Sequence, residues 1–166
     1  MHWCRIMERC VPALRENNAH REDLMSQPRP GLPLPTPQPE TDFYWEHAKA
    51  HELWLMRCAD CGQAYFYPRS LCPHCLSRNT EWFQSSGRGT LYTFSIAFRP
   101  PTPAFQERVP YVAALVELEG GTRLPTNLIE VEPDPTAIHI GMAVEVVFDD
   151  VTDAITLPKF RPSRAQ

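Results

Sequence analysis

No apolar run in this 166-residue chain approaches the roughly 18–20 residues needed to span a bilayer, so no membrane span is expected. The N-terminus carries Glu8, Glu16, Glu22 and Asp23 without an apolar block, so no secretory signal is expected there. Nothing points to an oxidising compartment, and cytoplasm is the expected location. The chain also lacks G-x-S-x-G, Walker A, G-x-G-x-x-G and H-E-x-x-H motifs. Asp149-Asp150 is the one adjacent carboxylate pair near a strand end. Neighbours on a strand point to opposite faces, so the pair reads as a solvated turn. His47 and His51 stand four apart on a helix, but no third ligand accompanies them, and a solvent-facing helix side is expected. With no catalytic constellation in view, the chain by itself is not expected to be an enzyme.

A basic stripe is missing too. The net charge is −4, unevenly spread. Residues 87–157 hold four Arg against ten acids, and the last nine residues add Lys159, Arg161 and Arg164 with no acid. An acidic β-domain is a poor electrostatic match for nucleic acid, and such a partner is not expected.

Proline is present in excess where structure is least expected. Six prolines fall between Pro28 and Pro39. Proline fixes φ and donates no hydrogen bond, so this stretch is an extended, solvated linker. Residues 1–40 are thus an N-terminal extension plus linker, either disordered or mis-assigned, since Met25-Ser26-Gln27-Pro28 resembles a protein start. Cys4 and Cys10 are incidental thiols under both views. From Thr41 or Asp42 a helix of about a dozen residues is expected, carrying Phe43, Tyr44, Trp45, Ala48, Leu53, Trp54 and Leu55. A small domain has little core to absorb Phe43, Trp45 and Trp54, which makes them candidates for docking on another protein. Residues 41–57 comprise this helix and an entry strand, Leu55–Cys58. Gly87-Arg88-Gly89 then breaks the chain before strands expected at Thr90–Phe98, Tyr111–Leu118, Arg123–Val131 and Ala143–Phe148, with a short edge strand at Ala154–Leu157. Five short strands with Gly-rich turns over residues 87–162 fit a small Greek-key barrel of the OB type, so the fold class is mainly β.

Between these lies the strongest signal. Cys58-Ala-Asp-Cys61 is followed after ten residues by Cys72-Pro-His-Cys75. Each C-x-x-C knuckle presents two sulfurs to one metal, and two knuckles complete a tetrahedron suited to zinc. Gly62 fits the turn of the first knuckle, and Pro73 stiffens the second. Residues 58–86 are therefore a zinc ribbon with a structural metal, since four thiolates leave no open position. Iron takes the same ligand set. A thioredoxin-like motif would need only one C-x-x-C, and His74 sits inside its knuckle, away from a ligand role. His20-Arg-Glu22 with Cys72-x-x-Cys75 faintly matches a zinc deaminase signature, but Leu71 stands where proline is required, and Cys58 and Cys61 go unexplained.

The order Phe43-Tyr44-Trp45, Leu53-Trp54-Leu55-Met56-Arg57-Cys58-Ala59-Asp60-Cys61-Gly62, Tyr67-Pro68-Arg69, Cys72–Cys75, Gly87–Leu91, Pro110–Ala113, Gly141–Val144 and Phe160-Arg161-Pro162 resembles the family of domain of unknown function 35 over residues 41–162. The resemblance implies a rubredoxin-like zinc ribbon joined to an acyl-CoA-associated OB-fold. It also implies a partner: a thiolase-fold or lipid-transfer-protein-type enzyme, with MaoC-like hydratases adjoining in some systems. The expected function is a non-catalytic accessory subunit that docks on such an enzyme and supports acyl-CoA processing. Arg88 and Arg99, flanking the first barrel strand, are candidate contacts for the acyl-CoA phosphates. Two other functions remain open: a nucleic-acid module using Tyr92, Phe94 and Phe98, and a free-standing acyl-CoA carrier.

Overall fold

The computed structural model describes residue 31 and residues 33–163. The alternatives for residues 1–24, with Cys4, Cys10, His20 and Glu22, lie outside those residues. Residues 33–38 form no helix or strand, as their missing donors dictate.

The first helix, α1, is Asp42–Lys49, shorter than the dozen residues expected. Thr41 does not cap it; its hydroxyl accepts from Gln38 N–H at 3.0 Å and donates to Gln38 O at 3.1 Å. The helix stops where His51 takes a φ of +60° and Glu52 N–H reaches back to His47 O at 2.9 Å. Leu53, Trp54 and Leu55 thus leave the helix. Their backbone is claimed by a sheet instead, a tertiary pairing that overrides helical periodicity.

That sheet has three antiparallel strands in the order β2-β1-β3: β1 (Trp54–Cys58), β2 (Ala64–Tyr65) and β3 (Thr80–Gln84). Its register sets Leu55 against Phe83 and Cys58 against Thr80.

Five further strands close a barrel in the order β4-β5-β6-β8-β7: β4 (Arg88–Ala97), β5 (Tyr111–Leu118), β6 (Arg123–Leu128), β7 (Ala143–Asp150) and β8 (Thr156–Pro162). The β6–β8 pair is parallel and the others are antiparallel, which gives the OB-type Greek key. On β5, Val112, Ala114, Val116 and Leu118 alternate inward, as a strand with one buried face requires. Phe160, Leu91, Val116, Leu124 and Val144 fill the interior, and Tyr44, Trp45 and Ala48 of α1 join the same core. A bulge between Leu91 and Thr93 bends β4; Arg88, Gly89 and Thr90 pair with β7, and the strand pairs with β5 from Gly89 to Ala97.

Two expectations at the C-terminal end are corrected. The edge strand at Ala154–Leu157 is instead β8, seven residues long, paired on both sides and carrying the fully buried Phe160. Pro158 and Pro162 disguised it, because proline argues against a strand. Asp149-Asp150 is the end of β7, not a turn. The two side chains do diverge: Asp149 pairs with Lys159, whereas Asp150 accepts from Thr156 Oγ1 at 2.6 Å and meets His51 Nε2 at 3.1 Å. Those two contacts, Thr156 first, hold the Asp150 carboxyl below its usual range. The third strand also ends earlier than expected, at Leu128.

Gly87 opens the barrel with a φ of +71°, and a Cβ there would stand 2.3 Å from Val146 Cγ1. Gly121 has a φ of +76° but open space around it. Gly121→Ala should therefore cost only the left-handed backbone, about 1 kcal/mol. Gly87→Ala adds overpacking and should cost roughly 2–3 kcal/mol. Urea unfolding of the zinc-loaded protein checks the order of the two; equal losses would contradict the close approach.

Candidate metal centre

The metal centre grows out of the sheet. Cys58 is the last residue of β1, and Cys61 lies in the turn to β2. Cys72 and Cys75 lie in the long connection from β2 to β3. The two knuckles repeat one hydrogen-bond scheme. Gly62 N–H donates to Cys58 O at 2.8 Å, and Leu76 N–H donates to Cys72 O at 3.0 Å. Cys58 N–H in turn donates to Gln63 O, and Cys72 N–H to Ser77 O, at 3.0 and 2.9 Å. The residue after each second cysteine is left-handed, Gly62 at +71° and Leu76 at +62°. The first knuckle uses the residue that geometry favours, and the second does not.

Four ligands at ~2.3 Å in a tetrahedron stand ~3.8 Å apart. The Sγ atoms of Cys58 and Cys75 are 3.6 Å apart, those of Cys61 and Cys72 are 3.7 Å apart, and all four lie within 4.8 Å of one another. The spacing fits a zinc ion held by all four sulfurs. Bound there, the metal supplies cross-linking, because no coordination position is left for a substrate or water. His74 is exposed and is outside this set; its N–H points to Cys72 Sγ at 3.4 Å.

The surroundings brace the knuckles. Asp60, inside the first, accepts from Asn79 Nδ2 at 2.8 Å and from Ser77 Oγ, both beyond the second. These bonds, Ser77 first, hold the Asp60 carboxyl below its usual range. Beneath the metal, Tyr65 and Met56 pack with Cys58 and Cys72, and Trp82 leans on them.

The aromatic residues proposed for docking are placed differently from one another. Trp45 is 8% exposed, turned into the core, with its Nε1–H donating to Tyr67 Oη at 3.0 Å. It therefore leaves the candidate docking set, because a helix this short packs its inner face on the barrel. Phe43 is half-buried, stacked on His47 at 3.9 Å and on Trp82 at 4.6 Å. Trp54 is half-buried on β1, meets Phe43 edge-on at 5.4 Å and donates to Glu52 Oε2 at 2.8 Å. Of the two histidines, His47 is half-buried with Nδ1 2.8 Å from Phe43 O, while His51 lies beyond the end of α1, exposed and stacked on Phe148. Arg88 and Arg99 are both exposed but stand at opposite ends of β4, roughly 30 Å of extended chain. The structure does not bring them together. A cationic cleft bordered by Arg69 and Arg123 went unread in the sequence, because those residues meet only through the fold.

A family model described as "ChsH2, rubredoxin-like zinc ribbon domain" matches residues 45–81, and one described as "ChsH2, C-terminal OB-fold domain" matches residues 82–149. A probable enoyl-CoA hydratase alpha subunit from Thermomonospora curvata is 39% identical over 153 residues, 92% of this chain. The chain spans only 47% of that relative's length. A DUF35 domain-containing scaffold protein from Methanocaldococcus jannaschii is 38% identical over 107 residues, 63% of this chain and 73% of the relative. Among solved structures, the Ltp2-ChsH2(DUF35) aldolase contains a chain 40% identical, with a TM-score of 0.67, covering 78% of this chain and 98% of that one.

Two outcomes test the centre. Cys61→Ser should lose zinc and unfold the ribbon, because site formation and folding are coupled; metal analysis together with Trp fluorescence reads it, and a zinc-replete, native-like variant would refute the site. Leu76 is 70% exposed and strained at its positive φ, so Leu76→Gly should raise stability by about 0.5–1 kcal/mol. Unchanged or lower stability in urea would mean that Leu76 makes up its strain elsewhere.

Proposed function

The chain belongs to the DUF35 family, and we propose that it is a non-catalytic accessory subunit, acting in the cytoplasm, that docks on a thiolase-fold enzyme and supports acyl-CoA processing. The observation that carries this reading is the match to the DUF35 chain of the Ltp2-ChsH2 aldolase, at 40% identity across 98% of that chain. Relatives named as scaffold proteins point the same way. The chemistry of the metal agrees, since a four-thiolate zinc has no position for substrate.

Phe43 and Trp54, half-buried at the junction of α1 and β1, are the docking residues of this proposal, since aromatic side chains dominate interface cores. Arg88 and Arg99 serve as separate candidate contacts for acyl-CoA phosphates. The relatives named as hydratase alpha subunits favour a second reading, in which the partner is a hydratase.

A chain tagged at its C-terminus and expressed in its native host should co-purify with a thiolase-fold enzyme in comparable amount, identified by mass spectrometry. A hydratase in its place would select the second reading. Recovery of nucleic-acid machinery, or of no stoichiometric companion, would overturn the proposal in favour of a nucleic-acid module or a free-standing carrier.

A further inference from the structure

The four sulfurs of the metal centre share one ion but not one environment. Cys58 and Cys72, the first cysteine of each knuckle, are fully buried, Cys61 is half-buried, and Cys75 is exposed. Their backbones differ as well. Cys58 ends β1 and Cys61 lies in the turn to β2, so the sheet holds the first knuckle. Cys72 and Cys75 lie in the connection from β2 to β3, outside any strand. That second knuckle also carries the left-handed Leu76, where the first has Gly62. Exposure and strain thus fall together on the Cys75 side.

A cysteine reacts with oxidants according to how fully it is ionised and how well it is reached. Zinc ligation requires deprotonated sulfur, so the first factor is common to all four ligands and access decides. The consequence reaches beyond the tip of the ribbon. Trp82 leans on the buried Met56, Cys58, Tyr65 and Cys72, and it stacks on Phe43 at 4.6 Å. Phe43 in turn meets Trp54 edge-on at 5.4 Å, and Trp54 belongs to β1, the strand that ends in Cys58. The aromatic residues assigned to docking therefore rest on a sheet that needs its metal.

We propose that the ribbon is a peroxide-sensitive switch, opened by oxidation of Cys75 and dismantled by the disulfide that follows. The Cys75 sulfur attacks one peroxide oxygen, the O–O bond breaks, and the departing hydroxide takes a proton to become water. Cys58 Sγ, 3.6 Å from Cys75 Sγ, then displaces hydroxide from the resulting sulfenic acid, and a second proton makes that water too. The product is a Cys58–Cys75 disulfide, with two electrons passed from the two thiolates to the peroxide. Two sulfurs are too few for a tetrahedral site, so the zinc leaves and the small sheet unfolds. A thiol reductant restores both thiolates. The oxidation and zinc release stand on the metal centre alone; only the loss of a partner rests on the docking proposal.

The test treats the full, zinc-loaded chain with hydrogen peroxide, with Cys4→Ser and Cys10→Ser in place so that the four ligands are its only cysteines. A chromogenic chelator follows zinc release and Trp fluorescence follows the ribbon. Dimedone trapping with peptide mass spectrometry locates the first sulfenic acid. The expected result is a first sulfenic acid at Cys75, then zinc release in step with a Cys58–Cys75 disulfide, reversed by dithiothreitol plus zinc. Cys75→His keeps a ligand set that zinc accepts, at the exposed position, and its zinc release should be about tenfold slower. The trapping result on the parent chain decides independently of how that variant folds. A first sulfenic acid at Cys58, Cys61 or Cys72, an oxidised chain that keeps its zinc, or equally fast release from Cys75→His would overturn the inference. Zinc release with a co-purified partner still attached would overturn the docking role of Phe43 and Trp54 and leave the switch standing.

Discussion

Four sulfurs drawn to one metal decide whether the front half of this molecule has a structure. The ribbon sheet has strands of five, two and five residues, and its own buried cluster is Met56, Cys58, Tyr65 and Cys72. So small a core does not offset the entropy of ordering nearly thirty residues. A structural zinc site contributes about 10–16 kcal/mol on binding, which makes metal occupancy the folding energy of such a unit. The matched hydrogen bonds of the two knuckles follow from this. Each must present two sulfurs in the same way, so each folds the same tight turn, even where Leu76 has to adopt glycine's backbone.

The barrel has no such dependence. Phe160, Leu91, Val116, Leu124 and Val144 supply an ordinary apolar interior, and closure removes exposed strand edges. What ties barrel to ribbon is partly apolar and partly one carboxylate. Tyr44, Trp45 and Ala48 bury α1 in the common core, where burial, with the neighbouring Tyr67, raises the Tyr44 phenol above its usual range. Glu119, at the end of β5, accepts from Ser85 Oγ at 3.0 Å and Ser86 N–H at 2.7 Å, pinning the segment that leaves the ribbon.

Local chemistry decided what was legible in the sequence. Cysteine spacing announces a tetrahedral site, because few other arrangements of four thiols are useful. Strand β5 was readable to the residue, since its alternation faces one core. Strand β8 was not: its prolines argue locally against a strand, and only pairing with both β6 and β7 reveals it. The helix was overextended for a related reason, as Leu53, Trp54 and Leu55 keep a helical apolar rhythm while the sheet takes their backbone. The docking face failed at Trp45 because a ring's direction, inward or outward, depends on what packs above it.

Charge distribution connects the fold to its choice of ligand. The barrel is acidic, yet its cations are not available as a stripe. Arg123 meets Glu117, Lys159 meets Asp149, and Arg161 meets both Glu130 and Glu145. The exposed Arg123–Glu117 pair adds little stability, but all of these pairs offset the positive field that a polyanion would need along an OB groove. Arg161 illustrates the point: its hydrogen bonds to Glu145 and then Glu130 hold the guanidinium charge still more firmly, while committing it locally. An extended nucleic acid gains affinity phosphate by phosphate, so it would need unpaired cations in a row.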